Sequence, residues 1–198
     1  MKKKLKKLTA FMVSATMVFP IFGEYPSGTF KLGWDSSFSA SAVEDLSPAE
    51  EITVTIDTGE SVTLNDNDND GYYDIGTADE LYAFASIVNN SNTAINVELT
   101  TDITVNDNVL DENGELNSDN SDNFRVWTPI GNYSNKYKGT FEGNSKTISG
   151  LYFDDFERSY VGLFGYIETS ALIKNVGVIN SFFNGDEYIG GVCGFNEK

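Results

Sequence analysis

The 198-residue chain has no histidine and a single cysteine. Without imidazole there is no His-based triad, no histidine general base and no imidazole metal site. With Cys193 alone, no intramolecular disulfide can form. Cys193 lies between Val192 and Gly194, where a small apolar side chain is wanted, and reads as packed core rather than a reactive thiol. Basic residues are scarce too: 13 Lys+Arg stand against 30 Asp+Glu, a net charge of −17. An acidic surface repels phosphate backbones, which argues against nucleic acid as a partner. The apolar run at the N-terminus, residues 8–23, is 16 residues long and carries Thr9, Ser14, Thr16 and Pro20. That is short and polar for a membrane span, which takes about 20 apolar residues.

What precedes and follows that run makes it an export signal. Lys2, Lys3, Lys4, Lys6 and Lys7 form the charged start, and Ala40-Ser41-Ala42 is a small-x-small cleavage site. The signal is therefore placed at residues 1–42, with cleavage soon after Gly23 or a retained N-terminal anchor as the alternatives. No cysteine follows the run for lipid attachment. Residues 1–42 hold six Lys with Glu24 and Asp35, so the mature part keeps 7 basic and 28 acidic residues, net −21. The membrane is then a partner only through the signal, before cleavage. The expected location is secreted or at the cell surface.

Two glycine-punctuated segments echo each other. One runs Tyr160-Val161-Gly162-Leu163-Phe164-Gly165, and the other Tyr188-Ile189-Gly190-Gly191-Val192-Cys193-Gly194, with Gly162 and Gly190 28 residues apart. A repeat of that length signals stacked units, each unable to bury its apolar face alone. The unit is β, since β-branched and aromatic residues alternate with Gly and Asn. Fourteen Phe and ten Tyr fit a rigid β-protein with stacked aromatics.

After a short linker at 43–50, residues 51–64 alternate apolar and polar around a turn at Thr58-Gly59, as a hairpin or two short strands. Asp66-Asn67-Asp68-Asn69-Asp70-Gly71-Tyr72-Tyr73-Asp74 follows, with carboxylates at every second position and then Gly. This matches the first half of a calcium loop, with Asp66, Asp68, Asp70, the Tyr72 carbonyl and Asp74 as ligands. The twelfth position, where a bidentate Glu belongs, is Thr77. Two readings stand: a truncated calcium site completed by Asp79 or Glu80, and an Asn/Asp-rich turn without metal. Thr77-Ala78-Asp79-Glu80 is a capping box that opens a helix, with Leu81, Phe84, Ala85 and Val88 on one face. From Ala94 onward the pattern is β, with Val97, Leu99, Ile103 and Val105 flanking a turn at 100–102 and a long polar loop at 106–123. Inward candidates are Phe141, Ile148, Leu151, Leu163, Phe164, Ile173, Val176, Val178 and Val192. Asn144, Asn175, Asn180 and Asn184 suit left-handed bends or amide ladders.

Trp127-Thr128-Pro129-Ile130-Gly131, then Tyr137-Lys138-Gly139-Thr140-Phe141-Glu142-Gly143-Asn144-Ser145-Lys146-Thr147-Ile148-Ser149-Gly150-Leu151, then Val161-Gly162-Leu163-Phe164-Gly165 resembles the opening of bacterial surface proteins that carry the GLUG repeat. Those proteins are similar to pectate-lyase-like right-handed parallel β-helices. The resemblance covers roughly residues 70–196 and implies a capping helix ahead of the coil. The expected fold is therefore mainly β, a right-handed parallel β-helix (solenoid) with an N-terminal capping α-helix. The alternative is a β-sandwich, which requires about seven alternating strands with hairpin turns. The expected divisions are 1–42, 43–76 with the strands and acidic loop, and 77–198 with the helix and the first, unfinished part of the coil.

The function implied is that of an exported, adhesin-like structural or recognition protein without catalysis, whose partner is a carbohydrate or a host or cell-surface protein. A polysaccharide-binding or polysaccharide-cleaving protein, and an inactive piece of a larger surface protein, are the alternatives. Asp154, Asp155, Glu157, Arg158 and Tyr152 form an acid-and-cation cluster, but nothing in the sequence fixes two carboxylates at a glycosidase spacing. Tyr133, Tyr137 and Tyr152 are candidates for stacking on sugars, and equally for core positions or rung ends. No cofactor is fixed by the sequence; calcium at the acidic loop is the one candidate, beside the reading of that loop as a turn without metal.

Overall fold

The computed structural model describes residues 51–90 and 92–197, so the signal and linker assignments at 1–50 lie outside the described residues. The chain begins with β1 (Ile52–Thr55) and β2 (Ser61–Leu64), which pair antiparallel as the expected hairpin. After the acidic loop come β3 (Tyr73–Ile75), α1 (Ala78–Asn89), β4 (Val97–Leu99) and β5 (Ile103–Thr104). The polar loop holds a short 3-10 helix at Ser118–Asn123 and buries Val109. Then follow β6 (Thr140–Ser149), β7 (Tyr152–Asp154), β8 (Phe164–Ile167), β9 (Leu172–Ile179), β10 (Phe182–Asn184) and β11 (Cys193–Asn196).

Every named strand pair after the hairpin is parallel. β3 pairs β4, β4 and β5 pair β6, and β6 pairs β9. β7 pairs β10 and β8 pairs β11. Single bridges continue the pattern, among them Ile130 to Phe164 and Val161 to Ile189. The last of these matches the 28-residue spacing of the two glycine-rich echoes. Parallel neighbours need a long connection between them: α1 connects β3 to β4, the loop with the 3-10 helix connects β5 to β6, and the connections after β6 contain further strands and turns. The antiparallel hairpins that a sandwich would use are confined to β1 and β2 among the described strands.

Thr77 caps α1 as the sequence predicts: its hydroxyl accepts from the Glu80 amide while Glu80 accepts from the Thr77 amide. The helix is more deeply covered than a one-faced helix would be. Tyr82, Ala83 and Ile87 are buried along with Leu81, Phe84, Ala85 and Val88. Phe84 meets Tyr137 edge-on at 5.5 Å and lies 6.0 Å from Phe141, and Phe164 closes the cluster at 5.3 Å from both. Ile56, Leu64 and Ile75 join the same core, so the hairpin, the helix and the parallel strands share one interior.

The polar bends work as predicted at three asparagines and differently at the fourth. Asn144, Asn175 and Asn180 have φ of 49°, 55° and 46°. Asn144 and Asn175 sit where the β6·β9 register shifts between Glu142 and Lys146. Their amides do not stack on each other; Asn144 donates to Glu98 and to the Leu99 carbonyl, and Asn175 to Glu142. Asn184 is extended within β10 and donates to Asp154 at 2.7 Å. Gly150 is required by its surroundings: its φ is +76°, and a Cβ there would stand 1.9 Å from the Asn106 carbonyl oxygen.

Of the inward candidates, Phe141, Ile148, Leu151, Leu163 and Phe164 are fully buried. Ile173, Val176 and Val178 on β9 are half-buried against the core, and Val192 is exposed. The reason is position: among the described strands β9 pairs with β6 alone, and the strand that follows Val192 pairs with β8 alone.

Candidate functional site

The acidic loop joins β2 to β3. Asn69 and Gly71, with φ of 62° and 93°, fold it back on itself. Asp66 accepts from the Asp70 and Gly71 amides at 3.2 and 3.0 Å, and Asp70 accepts from the Tyr72 amide at 2.9 Å. This brings carboxylate oxygens of Asp66, Asp68 and Asp70 within 4.8 Å of one another. Desolvation and the neighbouring Asp70 charge push the Asp68 carboxyl above its ordinary range. The Asn144 amide draws Glu98 down, but desolvation and the charges of Asp70, Asp74 and Asp68 outweigh it, and its net shift is upward. Negative charge is thus concentrated at this corner.

The other ligands named from sequence are otherwise engaged. Asp74 accepts from the backbone and side-chain nitrogens of Asn67 at 3.1 and 2.5 Å. Glu80 accepts from the Gly76 and Thr77 amides, and Asp79 pairs with Arg125 at 2.6 Å. The helix cap and an arginine engage the Glu80 and Asp79 carboxylates, so the group that the structure brings together is Asp66, Asp68 and Asp70. The fit to calcium rests on three side chains, and calcium takes six to eight oxygens.

Arg125 is a residue the sequence reading missed. Its guanidinium grips Asp57 with two nitrogens at 3.0 and 2.5 Å, reaches Asp79 with a third, and lies 3.6 Å over the Tyr82 ring. The hydrogen bonds from Arg125 hold the Asp57 carboxyl below its ordinary value. This arginine ties the hairpin to the helix. No sequence spacing marks it, because its partners are 68 and 46 residues away.

The second place is an open cleft of about 850 Å³ between the segment at 126–133 and the loop at 153–160. Asp154, Asp155, Glu157 and Arg158 line it, so four of the five residues of the predicted cluster do meet there. The fifth, Tyr152, packs instead between Phe124 at 5.3 Å and Phe182 at 6.1 Å. The loop carboxylates mostly brace the loop: Asp154 accepts from Asn184, and Asp155 accepts from the Glu157 amide and stands 4.0 Å from Arg158. Tyr137, a candidate sugar platform, is fully buried, with its hydroxyl donating to the Ile95 carbonyl at 3.0 Å. Its ring is needed to fill the space between Phe84 and Phe164. Tyr133 is the platform candidate that remains on the surface, 71% exposed at the cleft.

Cys193 is half-buried; desolvation raises its thiol above the ordinary value, against a weaker contact with the Phe195 carbonyl. A protonated, partly covered thiol fits packing rather than nucleophilic chemistry. Among the described residues no helix is long and apolar enough to cross a membrane.

No family profile matches this chain. No solved structure matches it either. Two curated relatives do. A Gly-rich membrane protein of Evansella cellulosilytica is 32% identical over 56 residues, which is 28% of this chain and 6% of that protein. Halomucin of Haloquadratum walsbyi is 28% identical over 174 residues, 84% of this chain and 2% of halomucin. The chain thus spans a few per cent of the length of the relatives it matches.

Proposed function

We propose that this chain belongs to an exported surface-type protein, built as a right-handed parallel β-helix of the GLUG-repeat kind and serving as a rigid structural or recognition module. The observation that carries the location is the pair of relatives, one named as a Gly-rich membrane protein and the other as halomucin. The architecture is supported by the parallel register, in which Tyr73 pairs Val97, Phe141 pairs Ile173 and Val161 pairs Ile189. Crossovers between parallel strands are right-handed in about 98% of cases, which favours that hand. The absence of histidine and the bracing role of the loop carboxylates favour recognition over catalysis. Antibody against the folded part should label intact producing cells or recover the protein from the medium, and external protease should remove the cell-bound signal. Retention of the whole pool inside intact, protease-treated cells would sink the reading.

A second reading, calcium binding at Asp66, Asp68 and Asp70, is favoured by the convergence of their oxygens. Bound calcium would relieve the crowding of negative charge there. Three side-chain ligands fit the weakest class of extracellular site, with a dissociation constant of about 0.1–1 mM. Calorimetric titration should give heat that disappears in Asp66→Ala/Asp70→Ala. No heat at ~10 mM calcium rules out even that class.

A further inference from the structure

We infer that the cleft between residues 126–133 and 153–160 binds an uncharged glycan, with Tyr133 as the stacking platform and Glu157 and Arg158 as its polar partners. The argument starts from Tyr133. A ring this exposed gains nothing from folding, yet the turn that displays it is held at every point. Asn132 accepts from the Ser134 and Asn135 amides at 3.0 and 2.9 Å, and its own amide donates to Asn89 at 3.2 Å. Asn89, at the end of α1, also accepts from Gly131 and donates to the Pro129 carbonyl. The ring rests edge-on against Tyr166 at 6.2 Å. An apolar face is therefore presented to solvent by a rigid support, which removes most of the ordering cost of binding.

The opposite wall is equally fixed. The Asp155 amide donates to the Asn184 carbonyl at 3.1 Å, the Arg158 amide to Asp155, and the Asp186 amide to the Arg158 carbonyl. Arg158 stays 74% exposed, with only the 4.0 Å approach of Asp155. The volume, about 850 Å³, falls in the small-ligand range of about 300–1,000 Å³.

Charge selects the ligand class. Asp154, Asp155 and Glu157 outnumber Arg158, so phosphates, sulfates and uronates meet net repulsion. A pyranose ring has an apolar C–H face that matches an aromatic ring, and hydroxyls that both donate and accept. Carboxylate acceptors and a guanidinium donor on one rim satisfy both needs. Binding here requires nothing of the location proposed above: an exported protein that binds no glycan and a glycan binder held inside the cell are distinct results.

The test is calorimetric titration of the purified full chain with cellohexaose, xylohexaose and mannohexaose, and with hexagalacturonate as the charged counterpart. At least one neutral hexamer should bind with a dissociation constant below about 1 mM. Tyr133→Ala should weaken it by about tenfold or more with unchanged near-ultraviolet circular dichroism. Phe156→Ala, which removes a ring 73% exposed in the same loop but outside the cleft lining, should leave binding unchanged. No binding of any neutral hexamer at ~10 mM, indifference to Tyr133→Ala, or preference for hexagalacturonate would overturn the inference.

Discussion

β6 and β9 pair at seven positions on either side of a register shift, and β9, the more apolar of the two, is the less buried. Phe141 and Ile148 on β6 are wholly buried, while their partners Ile173 and Val178 on β9 are only half-covered. Leu172 and Ile179 at the two ends of β9 are 49% and 45% exposed. β6 has β4 and β5 on one side and β9 on the other; β9 has β6 alone among the described strands. Among these parallel strands, then, a side chain's burial is decided by the strand beyond it as much as by its own residue type. The same contrast separates Tyr160-to-Gly165 from its echo: Val161 and Leu163 are buried, whereas Ile189 and Val192 are exposed.

The most direct way to break this contrast is to empty both strands. Phe141→Ala should cost about 3–5 kcal/mol, the range for a buried aromatic, and Ile173→Ala no more than about 2. Urea denaturation midpoints at constant slope would measure both. Equal losses would mean that β9 is as enclosed as β6 in solution.

A smaller effect is expected from adding one methyl group to each echo. At Gly162 a Cβ would sit 2.3 Å from the Gly190 carbonyl oxygen, between passes, whereas at Gly191 it would meet nothing within 4 Å. Gly162→Ala should therefore cost about 1–3 kcal/mol through overpacking, and Gly191→Ala should stay within about 0.5 kcal/mol. A large loss at Gly191 would show that the last pass is packed against something.

The smallest expected effect concerns the ion pair that links the two strands. Lys174, on β9, donates to Glu142, on β6, at 2.7 Å. With help from the Asn144 amide and the Asn175 side chain, it lowers the Glu142 carboxyl to about 2. The folded value lies below the unfolded one, so the unfolded chain binds the proton more readily. The link therefore stabilises fully above about pH 4.5 and fades as pH falls towards 2. The gap in urea midpoint between the natural chain and Lys174→Met should close over that window. A gap that does not change with pH would mean that the pair adds nothing to the β6·β9 contact.

Much of this was legible before any coordinates. The capping box at Thr77 and Glu80, the hairpin and the left-handed asparagines rest on local chemistry, and local chemistry is written in adjacent residues. The pairing of Val161 with Ile189 was visible as the echo of their neighbouring glycines. Arg125 was not visible, because its role depends on Asp57 and Asp79 being brought to it from far along the chain. Tyr137 reads equally as a surface platform or as core for the same reason: only Phe84 and Phe164, distant in sequence, decide that it is buried. At the cleft, the sequence supplied Asp154, Asp155, Glu157 and Arg158, but the facing wall comes from a segment more than twenty residues earlier.

Tyr160 and Tyr188 each precede a residue of the parallel Val161–Ile189 bridge, with φ of 66° and 58°. Their rings lie 5.0 Å apart and within 5° of parallel. Left-handed backbone is costly for any residue with a side chain, and worse for β-branched ones. The residues that follow are Val161 and Ile189. If one segment slid by a single residue against the other, the two rings would no longer face each other and the stack would be lost. The stacked pair thus marks the alignment of Val161 with Ile189, and only the correct alignment recovers it.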